Sequence, residues 1–409
     1  MEKQRIVITG IGVVASNGIG KEEFWANCFA GVSGIKPITL FDVSKYRCRY
    51  AGEISHFQPE QYLGPKGLRN LDRTTLLSLV AAKLAIEDAK LDITDENRND
   101  IGVVLGSTMG SVHSISEFDK EGLREGPRYV NPAHFPNTVI NSPASQVAIR
   151  FGLRGLNATI STGFSASLDA VGYAMDMLRL GRAETLLVGG VEELCIQTFL
   201  GFYKLGLLAT STNGAEPPFS PFSDGASGTL LGEGAAFFVL EGAEHVKRRQ
   251  ATILAQLEGY GTAFTPDTVY RYDPEGRGLR TAIAGALEDA GLTQEHVRSV
   301  SVSANAVHAC DMSERCVLEQ MFGGASQRPN LSAEKALFGE TFSADGALRM
   351  ASAIRPTSSI TTGREVAHCI VASGGPMGAA SAVVLGIPTA AKPRSGVRRR
   401  QLALASSGP

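Results

Sequence analysis

The heptapeptide Ala85-Ile-Glu-Asp-Ala-Lys-Leu91 returns as Ala286-Leu-Glu-Asp-Ala-Gly-Leu292 about 200 residues later, and its surroundings return in the same order. Each copy ends an amphipathic stretch with helical spacing, Thr74 to Lys90 in one case and Gly278 to Ala290 in the other. A polar loop and a short strand follow each, Ile101 to Leu105 and Val300 to Ser303, and a strand precedes each, Arg5 to Thr9 and Ile253 to Glu258. Two similar units of alternating strands and helices predict a duplicated α/β fold. The charged stretch Glu244 to Gln250, after a strand ending at Leu240, marks the expected boundary, giving halves of residues 1–248 and 249–390. The small, polar and basic tail 391–409, with Arg398-Arg-Arg400, is expected to be disordered.

Charge and composition remove several classes of function. A net charge of −2 supplies no basic field for nucleic acid. Apolar runs such as Gly234 to Leu240 are too short to span a bilayer, and Met1 to Thr9 leads into a strand with no signal-peptide pattern, so no membrane contact and a cytoplasmic location are expected. Six cysteines in 409 residues form no disulfide framework. His308, Cys310 and Cys316 lie close together but lack a paired metal-binding spacing, so neither metal nor cofactor is expected. Gly10-Ile-Gly12 follows a strand as a dinucleotide-binding loop would, yet Ser16-Asn-Gly18-Ile-Gly20 inserts a turn before any helix starts, which argues against that use.

The segment Ile160-Ser-Thr-Gly-Phe164-Ser-Ala-Ser-Leu-Asp169 reads as a strand turning sharply into a helix. It resembles the nucleophile elbow of the β-ketoacyl synthases. So, in order along the chain, do Val7 to Ala15, the loop from Asn131-Pro to Gln146, Leu187-Val-Gly-Gly-Val-Glu-Glu193, Pro221-Phe222 and Leu230-Leu-Gly-Glu-Gly-Ala235. Phe41 to Glu53 is particularly like the discrete ketosynthases of bacterial type II polyketide synthases. The resemblance implies a thiolase-type fold, two duplicated halves in an αβαβα five-layer sandwich, and an obligate dimer.

It also implies a chemistry whose three side chains are absent. In the family a cysteine at the elbow takes the acyl chain, the helix N-terminus behind it stabilising thiolate and oxyanion. Here that place is held by Phe164, which can neither attack a thioester nor ionise. The first of two histidines belongs to a segment ending in Asp-x-x-Glu; counting back from Asp311-Met-Ser-Glu314 places it at Ser303, and His308 does not inherit the role. The second follows Lys-x-x-x-Gly, read here as Lys335 to Gly339, which places it at Glu340, a charge that would repel a malonyl carboxylate. The gating Gly-Phe-Gly-Gly loop reads Gly375-Pro376-Met377-Gly378. Asp311, Glu314 and Lys335 remain and are expected to form a buried structural network.

A ketosynthase-like chain without its cysteine resembles the β subunit, or chain length factor, of type II polyketide systems. That resemblance implies a heterodimer with a catalytic ketosynthase α subunit, an acyl carrier protein acting in trans, and a shared tunnel for the growing chain. Met109, Val112, His113 and Ala133 would lie near the tunnel and dimer seam. The familiar chain length factors carry glutamine where this chain has Phe164, whose ring would instead plug the old acyl pocket. Two alternatives stand beside this reading. One is a repurposed homodimeric acyltransferase or cyclase using Ser165, Glu340 or the Cys310/His308 pair; the other is a scaffold that binds acyl carrier protein.

Overall fold

A computed structural model describes residues 3–211, 216–223, 225–266, 271–324, 328–355 and 366–388. Its first half contributes strands β1 (Ile6–Ala15), β2 (Ile101–Gly106), β3 (Asn157–Ile160), β4 (Thr185–Glu192) and β5 (Gly234–Gly242). Its second half contributes β6 (Ala255–Phe264), β7 (Val297–Ser301), β8 (Asn330–Ser332), β9 (Val366–Gly374) and β10 (Ala379–Pro388). All join one sheet in the order β8-β7-β9-β10-β6-β1-β5-β4-β2-β3. Read outward from the centre, each half therefore runs first, fifth, fourth, second, third. The pairing senses repeat as well: β2 is parallel to β3 and β4, as β7 is to β8 and β9, and the remaining neighbours are antiparallel. The halves meet where β1 pairs antiparallel with β6 through Ile6–Leu257, Val7–Gln256 and Ile8–Ala255.

The repeated heptapeptide has a physical cause in this arrangement. Helix α1 (Arg73–Asp88) lies so close on β1 that a Cβ at Gly12 would sit 2.0 Å from the Ala81 carbonyl oxygen, and Gly10 is equally crowded by Ala85. In the second half a Cβ at Gly261 would sit 2.2 Å from the Ala282 oxygen, with Gly259 against Ala286. Asp88 accepts the Ile11 N–H at 2.9 Å, and Asp289 accepts the Tyr260 N–H at 3.1 Å. Both N–H groups follow a bulge, where the register skips Thr9 in β1 and Glu258 in β6. Alanine and aspartate thus recur because each half needs a close helix-on-strand contact and one carboxylate for a displaced N–H. Gly10 and Gly12 lie inside β1, which runs on to Ala15 beyond its expected end at Thr9.

Five layers result. Between the two half-sheets lie α4 (Ala166–Arg179) and α8 (Asp345–Ala353), packed through Leu168, Val171, Met175, Leu348 and Met350. Outside the first half-sheet lie α1 and α3 (Ser142–Phe151), with Leu77, Val80 and Val147. Outside the second lie α6 (Arg277–Ala290) and α7 (His308–Phe322), with Ile283, Leu287, Val317 and Met321. Helix α2 (Val112–Glu125) has none of its residues buried, and its Phe118 meets Phe135 at 6.1 Å. A short helix α5 (Ile196–Lys204) carries Phe199 into a fourth cluster that includes Phe164. β7 begins at Val297 and stops at Ser301, short of the expected Ser303, because the Ser303 N–H leaves the sheet for the Glu314 carboxylate at 2.8 Å. No described helix is long and apolar enough to cross a membrane. The tail 391–409 lies outside the described residues.

Candidate functional site

β3 ends at Ile160, Gly163 takes the left-handed φ of +80° that glycine adopts without strain, and a short helical turn feeds α4. Phe164 therefore sits at the N-terminal end of a helix buried between the two half-sheets. Its side chain is buried and its ring meets Phe342 edge-on at 5.3 Å, while Phe342 meets Phe202 at 5.1 Å. The Phe164 carbonyl accepts from Ser373 Oγ at 3.2 Å, tying the elbow to β9 of the other half. The Phe164 ring forms one wall of a cavity of about 420 Å³, with Met109, Phe202, Leu205, Leu207 and Met377 among the others. Pro376 and Met377 occupy the turn at the cavity mouth, closed by Gly378 N–H to Gly375 O at 3.2 Å.

Ser303 and Glu340 converge through Lys335. The Lys335 ammonium, fully buried, lies 2.7 Å from Glu340, 3.4 Å from Asp345 and 3.5 Å from Ser303 Oγ. Glu340 also accepts from Asn305 Nδ2 at 2.9 Å and from the Phe342 N–H at 2.9 Å. Every Glu340 oxygen is engaged and the residue is absent from the cavity lining, so the expected repulsion of a carboxylate there has no free charge behind it. Asp311 accepts three backbone N–H groups, from Phe222 at 2.7 Å, Asn305 at 3.0 Å and Ala306 at 3.1 Å. Glu314 holds the Ser303 N–H, and burial pushes its carboxyl up to about 7. Arg349, unremarked in the sequence, closes the network on Asp345 at 2.7 Å and on the Ser301 carbonyl at 2.8 Å. Its carboxylates and cations serve one another and the backbone.

Candidate nucleophiles near the elbow are turned away from the cavity. Ser165 is fully buried and donates to Asp169 at 3.0 Å, and Asp169 also takes the Tyr260 hydroxyl at 2.6 Å. Cys310 is buried with its thiol pushed up by burial, whereas His308, two residues earlier on α7, is exposed. Residues at that spacing do not face each other on a helix, so the two make no dyad. Among the described residues no group of three or more histidine, cysteine or acidic side chains could hold a metal.

Of the four seam residues, only Met109 reaches the cavity beside Phe164. Val112 and His113 open α2, His113 lining a separate pocket, and Ala133 is exposed with its N–H on Asn131 Oδ1 at 3.0 Å. Sequence reasoning missed Phe342, Tyr272 and Asn305. Tyr272 lines the cavity, its phenol pushed well up by burial. No periodicity or motif marks these three; the signal for Phe342 would have been an aromatic next to the Glu340 position.

Comparison with known proteins places this geometry. Residues 3–246 match the family model for the beta-ketoacyl synthase N-terminal domain, and residues 254–356 match that for the C-terminal domain. The 3-oxoacyl-[acyl-carrier-protein] synthase 2 of Coxiella burnetii is 34% identical over 349 residues, covering 85% of this chain and 84% of its own. The solved ishigamide ketosynthase/chain length factor superposes with a TM-score of 0.83 at 27% identity, covering 94% of this chain and 100% of that one. A type II PKS acyl-carrier protein in complex with its ketosynthase bound to the hexaketide gives a TM-score of 0.83 at 24% identity, over 95% and 100%, a likeness of fold.

Proposed function

Because the chain belongs to the β-ketoacyl synthase family, we propose that it is a non-catalytic member, a chain length factor that pairs with a catalytic ketosynthase α subunit and shapes the tunnel in which a polyketide grows. The observation that carries this reading is Phe164, buried at the head of α4 where the family resemblance puts the nucleophile. A phenyl ring there offers no atom for a thioester to acylate. Lys335 and Glu340 neutralise each other where an imidazole would assist decarboxylation, and Ser303 cannot supply the other. The fold is kept while the chemistry is gone, which suits a subunit retained for its shape. Likeness to the ishigamide ketosynthase/chain length factor supports the pairing. The burial of Ser165 and the separation of Cys310 from His308 weigh against a repurposed acyltransferase.

The test is co-expression with candidate ketosynthase α subunits, followed by copurification and intact-mass analysis. A one-to-one complex should form, with acyl groups from acyl-carrier thioesters appearing on the α subunit alone. Stable acylation of an elbow residue of this chain would refute the reading.

A further inference from the structure

The cavity beside Phe164 combines an apolar body with a single charge at its lip. Its volume of about 420 Å³ falls in the range of roughly 300–1,000 Å³ usual for small-molecule sites. Leu205 and Met377 in its wall are 50% and 47% exposed and Arg271 is exposed too, so the cavity opens to solvent along that side. Among the described residues that line it, Arg271 alone is ionised, and it makes no ion pair among the described residues. Asp273, the nearest acid in sequence, is held instead by Arg277, through the guanidinium at 3.0 Å and the backbone N–H at 2.7 Å. The polar groups of the wall are already spent or neutral. Thr108 donates to the Gly163 carbonyl at 2.7 Å, and burial pushes the Tyr272 phenol well up, so its ring adds no charge. Rings and thioethers make up much of the remainder, from Phe164, Phe202, Met109 and Met377.

We propose that this cavity binds, without a covalent bond, a fused-ring aromatic carboxylic acid whose carboxylate meets Arg271 and whose rings enter toward Phe164. One guanidinium with no second cation suits a monoanion rather than a phosphate, and its parallel N–H donors match the two oxygens of a carboxylate. Aromatic and thioether walls favour the faces and edges of flat rings, whereas a flexible chain would lose more rotamer freedom on entry. Phe164 gives the ligand a surface and no atom that could attack it, so binding is reversible and the charge at the lip anchors it. The inference deepens the non-catalytic reading, on which it rests for the absence of acylation, by giving the retained cavity a ligand of its own.

Isothermal titration of the full chain with naphthoate, against uncharged naphthalenemethanol and against decanoate, tests the site. Naphthoate should bind saturably, one per chain, and more tightly than either control. Arg271→Gln should weaken naphthoate about tenfold or more, as expected for the loss of one charged hydrogen-bonded contact, and leave naphthalenemethanol unchanged. Arg271 is exposed and unpaired among the described residues, so the substitution leaves the fold intact. Leu205→Trp, also at an exposed position, should narrow the opening and weaken both aromatic probes. The inference is overturned by absent saturable binding, by equal affinity of the parent and Arg271→Gln, by indifference to Leu205→Trp, or by decanoate binding as tightly as naphthoate. Acylation of an elbow residue would instead remove the non-catalytic reading, whereas naphthoate binding that ignores Arg271 would remove the ligand site and leave that reading standing.

Discussion

At the scale of single residues, Phe164 tests the reading most directly. The site around it still offers a helix N-terminus, which lowers a thiol's pKa. In Phe164→Cys the new thiol should therefore react with iodoacetamide faster than any native cysteine; Cys310, for comparison, is buried with its thiol pushed up. Condensation should nevertheless stay absent, because Ser303 and Glu340 provide no imidazoles. The triple change Phe164→Cys, Ser303→His, Glu340→His is the fair revertant. Full activity from the single change, measured as release of carbon dioxide from malonyl thioester with product formation, would show that the two histidine positions are misplaced.

Among elements, the contact of α8 with the loop after β8 is organised by charge. Lys335→Met would leave Glu340 without its cation and Asp345 with Arg349 alone, all inside the core. A cost of about 3–5 kcal/mol is expected in chemical denaturation, and pairing it with Glu340→Met should recover part of the loss. At the end of β4, Glu192 holds the Thr108 N–H at 3.0 Å and the Met109 N–H at 3.3 Å, securing the cavity wall. Burial pushes its carboxyl from 4.5 up to about 7. A carboxyl raised on folding keeps its proton at pH values where the unfolded chain has lost it, so its contribution to stability falls as pH rises from about 4.5 to about 7 and is level above. Glu192→Gln has nothing to ionise and should show a flatter stability profile across that window. A profile parallel to the parent's would refute the assignment.

For the whole molecule, the unpartnered surface is the feature to explain. α2 has no buried residue, and Leu123, Tyr129 and Phe135 nearby are 88%, 75% and 57% exposed. Such a surface is a liability in a lone chain and an interface in a complex. Expressed alone, the chain should self-associate in size-exclusion chromatography. In a verified complex, Val112→Phe should shorten the partner's product without stopping turnover, since the proposed chain-length role assigns the chemistry to the other subunit. Product length unchanged at Met109, Val112, His113 and Ala133 alike would remove the main support for the chain-length role.

The duplicated architecture could be read directly, because close helix-on-strand packing makes local demands. Each half needs alanines facing strand glycines and an aspartate for one displaced N–H, and those demands are written within a few residues of one another. That Phe164 carries no nucleophilic atom was equally legible, since residue type alone decides whether an atom can attack. The surroundings of Phe164 and Glu340 were decided by residues distant in sequence. Phe202 and Met377 converge beside Phe164 to line a cavity, and Phe342 packs edge-on against its ring. Lys335 and Asn305 turn Glu340 from a free charge into a paired one. Turn chemistry and periodicity act over a few residues, whereas volume and charge balance depend on which distant side chains packing brings into contact, and only the tertiary structure decides that.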